Sequence, residues 1–506
     1  MEHVNQIISK REKENIMKKL KKLFAVMLSL IMVLAMGITS FADTDSAMIT
    51  LTNFNDADSL KYMQIIEPDQ AQPTGWKFSN NVAENAFKTA TGLTDAQTIL
   101  WKMILKQNPS AASNTELNIP ANTTAITNSE IDKALSAIKN DSSATWTTAT
   151  DKTSLTVRSA GVYAFDAEKN GYTYKVATAY VGFENYETAP TLRDTEVAAK
   201  KSQLIVTKTV NDGDKAVEIG QEVEYTITTY VPYIDANNAS TRTFKITDKI
   251  SGAAYVLKAG KVDGTVMMGN APVAGATIVP TADGKSFEIN LDSLVADTDN
   301  PNAGNLITVT YKAKITELTA TNEAKGHKSG AEYAGDDVKL YTGSITLTKV
   351  DATTTSKKLS GAEFTVSKVN EDNSLGEALK FDLVNGVYRY NPDSTRQNAT
   401  TVVTGTNGEV KVEGLDVGKY HFTETKAPNG YSINEAGKDI ELGLGEGVTE
   451  ATANFVATGD LTLKDSQLSA LPATGGIGTT IFTIVGCGIM IAAAGLFFAS
   501  RRKENR

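Results

Sequence analysis

Alternating apolar and polar positions dominate the chain from about residue 200 to about residue 465. Runs rich in threonine, valine and tyrosine recur there, and clusters of glycine, asparagine and aspartate separate them. An alternation of period two is typical of strands with one buried face, and the clusters are typical of turns. The pattern therefore predicts a mainly β protein with tandem antiparallel, immunoglobulin-like β-sandwiches.

Residues 43–199 have a more mixed pattern. The segments 94-TDAQTILWKMILK-106 and 129-SEIDKALSAIK-139 carry apolar residues at helical spacing, whereas 173-TYKVATAYVGF-183 alternates like a strand. Thr94 and Ser129 are the predicted N-caps, because a hydroxyl group can accept a hydrogen bond from the first turn. A mixed α+β domain is therefore predicted ahead of the sandwiches.

The N-terminal residues have the pattern of an export signal. The segment 17-MKKLKKLFAVMLSLIMVLAMGITSFA-42 joins a basic stretch to an apolar stretch and ends in small residues at Ser40 and Ala42. This pattern predicts a secretory signal peptide that starts at Met17 and is cleaved after Ala42. An uncleaved N-terminal anchor is the alternative, and the shortness of the apolar stretch disfavours it.

The C-terminal residues have the pattern of a membrane anchor. An apolar run from Ile477 to Ala499 is long enough to span a bilayer. The basic residues that follow it would hold the tail inside the cell, and they are Arg501, Arg502, Lys503 and Arg506. The residues between the two ends are therefore predicted to lie outside the cell.

Composition narrows the functional class. The 506 residues exceed what one core can hold, and a net charge of −9 argues against a nucleic-acid partner. The only cysteine, Cys487, lies in the apolar run, so the exported part has no disulfide. Only His327 and His421 follow the signal, and no nucleophile–base pair, metal-ligand cluster or phosphate-binding loop is evident. We therefore predict no enzyme activity, metal or cofactor.

Three ionisable side chains share the apolar faces of strands within residues 343–466. They are Lys349 in 345-ITLTKVD-351, Glu424 in 420-YHFTET-425 and Asp465 in 461-LTLKD-465. Burial favours a neutral amine and a protonated acid, so the Lys349 amine could attack the Asp465 carboxyl while Glu424 moves protons. The product would be an amide. A buried ion triad without chemistry is the alternative, and Asn454 is a weaker choice of partner.

The preceding domain has a similar set of inward-facing charges. They are Lys208 in 204-LIVTKTV-210, Asp248 in 244-FKITD-248 and Asp336 in 336-DDVKL-340. We predict a second amide from Lys208 to Asp336, with Asp248 as the assisting acid. Such bonds would close long loops and take the place of disulfides in a chain that bears load.

The end of the chain resembles the cell-wall sorting signal of Gram-positive surface proteins. Its LPXTG pentapeptide consists of Leu471, Pro472, Ala473, Thr474 and Gly475, and the apolar span and basic tail follow in the usual order. The resemblance implies that a sortase cysteine attacks the Thr474 carbonyl, releases Gly475 with the anchor, and passes the acyl group to an amine. An ordinary single-span membrane protein is the alternative.

The two sandwiches also resemble known domains. The segment 420-YHFTETKAPNGY-431 is similar to the ETxAPxGY signature of CnaB-type isopeptide domains, and it places Glu424 in the acid's position. KTVNDG at 208–213 and VEIGQEVEYTITTYVP at 217–232 are similar to the fimbrial isopeptide domain of pilins. Asparagine is the usual partner of the lysine in both families, whereas Asp465 and Asp336 are the matching residues proposed for this chain.

The resemblance to backbone pilins implies a lysine that receives Thr474 of another subunit. That lysine often lies in a VYPK motif, but Val181 and Gly182 stand at the expected proline and lysine. Lys200 and Lys201 are the predicted candidates, because they lie at the junction before the middle domain. A solvated linker pair is the alternative.

The predicted organisation has five parts. They are a signal region 1–42, an N-terminal pilin domain 43–199, a fimbrial isopeptide sandwich 200–342, a CnaB-type sandwich 343–466 and a sorting signal 467–506. The predicted function is a structural subunit of a sortase-assembled pilus, with sortase, other pilin subunits and the cell wall as partners. A monomeric wall-anchored adhesin or stalk, which would contact a host or bacterial surface ligand, is the alternative.

Overall fold

The structure is a computed structural model, and it describes residues 45–107, 109–113, 119–182, 191–236, 242–468 and 478–503. The chain divides into two compact units, Met1–Lys215 with Gly220–Tyr341, and Ala216–Ile219 with Thr342–Arg506. β-Sheets form the framework of both units, which confirms the mainly β prediction. The predicted signal region lies outside the described residues, so its cleavage stays a prediction.

The N-terminal part of the first unit combines helices and short strands. Its helices are α1 (Asn81–Thr91), α2 (Ala96–Gln107) and α3 (Asn128–Asn140), with a 3-10 turn at Pro109–Ser113. Its strands are β1 (Ala47–Thr52), β2 (Ser59–Pro68), β3 (Trp76–Phe78), β4 (Thr147–Thr148), β5 (Ser154–Val157), β6 (Gly161–Glu168), β7 (Tyr172–Tyr174), β8 (Ala177–Val181), β9 (Thr195–Ala198) and β10 (Lys201–Gln203).

Two sheets organise this N-terminal part. One has the strand order β3-β2-β6-β8, with β4 beside β2, and the other has the order β5-β1-β9. Alternate residues of β6 join different cores, because Ala164 packs with the helices whereas Phe165 packs with the sheet around β1. Both faces of β6 are therefore covered, and its first seven residues are buried. Trp101 of α2 and Leu135 of α3 belong to the helical core.

The predicted helices are present, but their predicted caps are wrong. α2 begins after Asp95, whose carboxylate accepts a hydrogen bond from the Thr98 amide at 2.9 Å. α3 begins after Thr127, which forms a capping box with Glu130. Ser129 lies inside α3. The carboxylate of Asp95, and not the hydroxyl of Thr94, caps α2, because it is an equally good acceptor that lies one residue closer to the helix. Helix α1 was not predicted from the sequence.

The predicted strand at 173–183 is divided between two sheets. β7 pairs with β10, whereas β8 pairs with β6. The Lys175 amide donates a hydrogen bond to the Lys200 carbonyl at 3.0 Å, which extends the β7–β10 pairing by one residue before the chain leaves for the other sheet.

The remainder of the first unit is a β-sandwich. Its strands are β11 (Val206–Val210), β12 (Glu222–Tyr230), β13 (Phe244–Ser251), β14 (Ala253–Tyr255), β15 (Leu257–Lys258), β16 (Lys261–Val262), β17 (Gly264–Met268), β18 (Ala271–Pro272), β19 (Val279–Pro280), β20 (Ser286–Asn290), β21 (Leu306–Ile315), β22 (Thr319–Lys328) and β23 (Ala331–Tyr341), with a 3-10 turn at Asp292–Leu294. One sheet has the order β11-β12-β21-β17-β18, with β14 beside β21, and the facing sheet has the order β19-β20-β13-β22-β23.

The second unit contains another β-sandwich. Its strands are β24 (Gly343–Asp351), β25 (Glu363–Val369), β26 (Leu375–Ala378), β27 (Phe381–Val384), β28 (Val387–Tyr390), β29 (Val402–Val403), β30 (Glu409–Leu415), β31 (Gly418–Lys426), β32 (Lys438–Leu442), β33 (Phe455–Val456) and β34 (Thr462–Asp465). One sheet has the order β27-β28-β30-β24-β33, with β34 also beside β24, and the other has the order β26-β25-β31-β32, with β29 beside β25.

The described chain ends in helix α4 (Gly478–Lys503). Its segment Ile481–Arg501 has a mean hydropathy of 2.3 and is long and apolar enough to cross a membrane. This segment overlaps the predicted span, and it contains the free thiol of Cys487.

Candidate functional site

Lys349 lies at the centre of the second sandwich, between two carboxyl groups. Its Nζ contacts Asp465 Oδ1 and lies 3.0 Å from Glu424 Oε1, and all three side chains are 0% exposed. The sequence prediction that these three residues point inward is therefore confirmed by their burial. Their chemical roles are a separate matter and stay predictions.

The sheet topology explains why these three residues meet. β24 pairs in parallel with β34, the last strand of the sandwich, and this register places Lys349 beside Leu463 and two residues before the Asp351–Asp465 pair. Glu424 comes from β31 in the facing sheet. A bond from Lys349 to Asp465 would therefore join the first and last strands of one sheet, with the second carboxyl group supplied across the core.

The surroundings of Glu424 favour its protonated form. Burial raises the pKa of Glu424, although a hydrogen bond from the Asn434 amide to its Oε2, at 2.7 Å, acts in the opposite direction. Asp465 Oδ2 is buried and has no hydrogen-bond partner among the described residues. The Phe364 ring lies 5.5 Å from the Lys349 Nζ and keeps this side of the site apolar. The weaker candidate Asn454 is exposed, and its amide donates to the Thr342 carbonyl at 3.0 Å.

Lys208 occupies the core of the first sandwich and has one carboxylate partner there. Its Nζ lies 2.5 Å from both Asp248 Oδ2 and the Tyr311 hydroxyl. The Tyr255 hydroxyl donates to Asp248 Oδ1 at 2.7 Å, and the Tyr311 hydroxyl donates to Asp248 Oδ2 at 2.7 Å. Burial raises the pKa of Asp248 and lowers the pKa of Lys208, so both groups are shifted towards their neutral forms.

The structure places Asp336 differently from the sequence prediction, and it brings Asn322, which was not predicted, to the site. Asp336 Oδ2 accepts a hydrogen bond from the Lys208 main-chain amide at 2.7 Å, so this contact fixes the strand rather than the amine. Asn322, on β22, is 0% exposed and donates to the Tyr311 hydroxyl at 2.8 Å. Its Oδ1 is buried and lacks a hydrogen-bond partner among the described residues. Asn322 was missed, and it shares with Lys208 a contact to the same tyrosine hydroxyl.

The two linking candidates have different environments. Lys201 Nζ lies 2.5 and 2.6 Å from the two carboxylate oxygens of Asp56. Hydrogen bonds from Lys201 and Lys169 lower the pKa of Asp56 to about 2, so its carboxylate stays ionised beside both lysines. Lys200 is half-buried, and burial lowers its pKa. Lys200 also lines a cavity of about 310 Å³.

The predicted sortase residues Leu471–Gly475 lie outside the described residues, but the segment before them is fixed. The Gln467 side chain donates to Asp351 Oδ2 at 2.7 Å, and the Tyr431 hydroxyl donates to the same oxygen at 2.8 Å. The Leu468 amide donates to the Gly430 carbonyl at 2.9 Å. The chain is therefore held on the sandwich until three residues before Leu471.

Comparison with known families and proteins adds to this geometry. Residues 343–454 match the SpaA family model, described as a prealbumin-like fold domain, and residues 464–506 match the LPXTG cell wall anchor motif. The trypsin-resistant surface T6 protein of Streptococcus pyogenes serotype M6 is 24% identical over 380 residues, which cover 59% of this chain and 68% of that relative. The chain is an LPXTG-anchored, pilin-like surface protein.

Two solved pilin structures are among the similar folds. The T6 backbone pilin of serotype M6 Streptococcus pyogenes has 16% identity and a TM-score of 0.49, and the match covers 85% of this chain and 100% of that one. The major pilin SpaD of Corynebacterium diphtheriae has 16% identity and a TM-score of 0.48, and the match covers 86% of this chain and 99% of that one.

Asn322 lies in the same kind of alternating strand pattern that predicted the other site residues of this pilin-like chain. In 319-TATNEAKG-326, Asn322 lies on the same strand face as Ala320 and Ala324, and all three are buried. An amide on the apolar face of an alternating strand is the same signal as a lysine there. The prediction of Asp336 rests on the same alternation in the next strand, where Asp336 shares a face with Val338 and Leu340.

Proposed function

We propose that this chain is a backbone subunit of a surface pilus, polymerised by a sortase through Thr474 and stabilised by one intramolecular amide bond in each sandwich. The observation that carries the proposal is the Lys349 site, where a lysine and two carboxyl groups share a fully buried position. A cation buried with two acids is costly, whereas an amide at the same place carries no charge.

The reaction at Lys349 is a condensation. The Lys349 nitrogen attacks the carboxyl carbon of Asp465, the new C–N bond forms, and one C–O bond breaks to release water. Protonated Glu424 gives its proton to the departing hydroxyl of Asp465 as the tetrahedral intermediate collapses, and it takes a proton from the Lys349 nitrogen, so it ends in its starting form. Contact between the reacting groups supplies the proximity that such an attack needs.

At Lys208 the same chemistry has two candidate acceptors. Attack on the Asn322 amide carbon would release ammonia, whereas attack on Asp336 would release water. The geometry favours Asn322, because Asp336 binds the Lys208 main-chain amide whereas Asn322 and the Lys208 Nζ both contact the Tyr311 hydroxyl. Asp248, held by two tyrosine hydroxyls, would be the assisting acid.

Lys200 is the better of the two acceptors for Thr474. An amine must be uncharged to attack an acyl group, and the Lys201 amine is already engaged by both carboxylate oxygens of Asp56. Burial favours the uncharged form of Lys200, and the cavity beside it leaves room for an acyl chain. The second subunit's Thr474 would therefore be joined to the Lys200 amine.

The test is the size of the wall-bound protein. Cell wall of the native organism is released with muramidase, boiled in SDS and probed on a gel with antibody to the exported part. We expect a ladder that is lost with Lys200→Arg and kept with Lys201→Arg, its matched control. A ladder that survives Lys200→Arg would contradict the linking residue, and a single band of monomer size would contradict the pilus and favour a monomeric stalk.

A further inference from the structure

Lys175 and Lys200 lie directly opposite each other on two antiparallel strands. β7 and β10 pair with Tyr174 opposite Lys201, and the hydrogen bond from the Lys175 amide to the Lys200 carbonyl continues this register by one position. Side chains at opposite positions of an antiparallel pair are close neighbours, and like charges there repel each other. Both lysines also line the same cavity.

Asp132 fixes the position of Lys175. The Lys175 Nζ contacts Asp132 Oδ2, and the two side chains are 11% and 5% exposed. Asp132 lies on α3, which the capping box at Thr127 starts at a defined residue. Because Lys175 is held at both its backbone and its amine, its charge stays next to Lys200.

Other ionisable groups of the described residues also lie near Lys200. Tyr233 and Lys201 line the cavity, and Lys201 is paired with Asp56. Asp299 precedes Asn300, which also lines the cavity. Burial and the charge of Lys175 lower the pKa of Lys200, whereas Asp132 and Asp299 act in the opposite direction.

We propose that Lys175 is a positioning residue for the reaction between subunits: placed opposite Lys200, it keeps the Lys200 amine in its uncharged, nucleophilic form. This inference rests on the proposed function. In the reaction, the Lys200 nitrogen attacks the Thr474 acyl carbon on the sortase, the C–N bond forms, and the C–S bond breaks. The leaving sulfur takes the proton that the nitrogen loses, so the cysteine is regenerated.

The direct test is a titration of Lys200. The exported part, residues 45–468, contains the sandwiches of both units without helix α4, whose apolar segment Ile481–Arg501 is not buried. Its lysines are dimethylated with ¹³C-formaldehyde, which keeps their charge, and each titration is followed by NMR. The signal of Lys200 is the one that Lys200→Arg removes, and exposed Lys261 provides the reference.

We expect Lys200 to titrate at lower pH than Lys261. Its midpoint should move up towards that of Lys261 in Lys175→Met and stay in place in Lys175→Arg. The double variant Lys175→Met, Asp132→Asn leaves no unpaired buried charge, so it should fold. Its upward shift should be smaller than that of Lys175→Met alone, because Asp132 itself raises the pKa of Lys200. The inference would be overturned if Lys200 and Lys261 titrated together. It would also be overturned if the Lys200 midpoint did not move in either variant that contains Lys175→Met. A crosslinked Lys175–Asp132 peptide would overturn it as well, because an amidated Lys175 carries no charge.

A transfer assay separates this inference from the proposed function. The native organism's sortase joins a donor peptide ending in LPATG to residues 45–468, and the initial rate is followed against pH. With Lys175→Met we expect a several-fold loss at neutral pH that disappears at strongly alkaline pH, and with Lys175→Arg no loss. An equal loss at every pH would overturn the inference alone. No transfer to Lys200 in the unmodified chain would overturn the proposed function.

Discussion

A lysine in the core of a β-sandwich needs a partner that removes or balances its charge. The two sandwiches meet this need differently. Lys349 has two carboxyl groups, whereas Lys208 has one carboxyl group and the hydroxyl of Tyr311. Two tyrosine hydroxyls already bind the Asp248 carboxylate, so the second site needs no further acid. The amide that each site can form is the neutral end state of both arrangements.

Changes at Glu424 and Asp465 should separate the assisting acid from the acceptor. Glu424→Gln should leave Lys349 unreacted, because the amide side chain at position 424 cannot exchange a proton with the reacting groups. Asp465→Asn should still react and release ammonia instead of water. Intact mass of residues 45–468 checks both outcomes. A loop closed over 116 residues stabilises by about 4–5 kcal/mol in chain-entropy estimates, so the unfolding midpoint in guanidinium should fall in Glu424→Gln and not in Asp465→Asn.

The result that would contradict this scheme is a Glu424→Gln protein that loses the same mass as the parent. The Lys349 site would then react without its acid. Lys349→Met provides the control, since it cannot form the bond under any mechanism.

The acceptor of Lys208 can be identified in the same way. We expect residues 45–468 to lose one ammonia and one water in total, with the ammonia coming from Asn322. Asn322→Ala should lose only the water, and Asp336→Ala, its matched control, should lose both. High-resolution mass spectrometry distinguishes the two leaving groups. The reverse pattern would return the bond to Asp336, the acceptor that the strand pattern predicts.

At the scale of single elements, a helix begins where a side chain can accept a hydrogen bond from an amide of the first turn. In α2 this side chain is Asp95 and not the neighbouring Thr94. Asp95→Ala should destabilise the first unit by about 1 kcal/mol, because the Thr98 amide loses its partner at the start of α2. Thr94→Ala, at an exposed neighbouring position, should change the free energy of unfolding by less than about 0.5 kcal/mol. Urea unfolding, followed by the fluorescence of the three tryptophans that pack in this part of the first unit, measures both. Equal effects would restore Thr94 as the cap.

Alternation within a strand was a reliable guide wherever the strand has one buried face. The alternating pattern by itself identified the buried lysines and carboxyl groups Lys208, Asp248, Lys349, Glu424 and Asp465. The same alternation places Asn322 on a buried strand face, whereas the sequence prediction selects the charged residue Asp336. The division of 173–183 into β7 and β8, by contrast, depends on which strands pair over long distances, and local pattern does not contain that information.

The whole molecule offers a test of both bonds at once. A protease recognition sequence inserted in the exposed turn at 371–373 lies inside the Lys349–Asp465 loop. After cleavage, the two fragments should stay joined on a denaturing gel and separate in Glu424→Gln. The same insertion at the 329–330 turn lies beyond Asn322 and before Asp336, so cleavage there should separate the fragments. Fragments that stay joined at that turn would place the bond at Asp336.

The position of Lys200 divides each subunit of the fibre into a part that carries tension and a part that does not. In the proposed fibre, the shortest covalent route enters a subunit at Lys200, crosses from Lys208 to Asn322, crosses again from Lys349 to Asp465, and leaves at Thr474. The whole N-terminal domain lies before Lys200 and therefore outside this route. It carries no tension between subunits, so its surface can diverge between strains or take insertions without weakening the fibre.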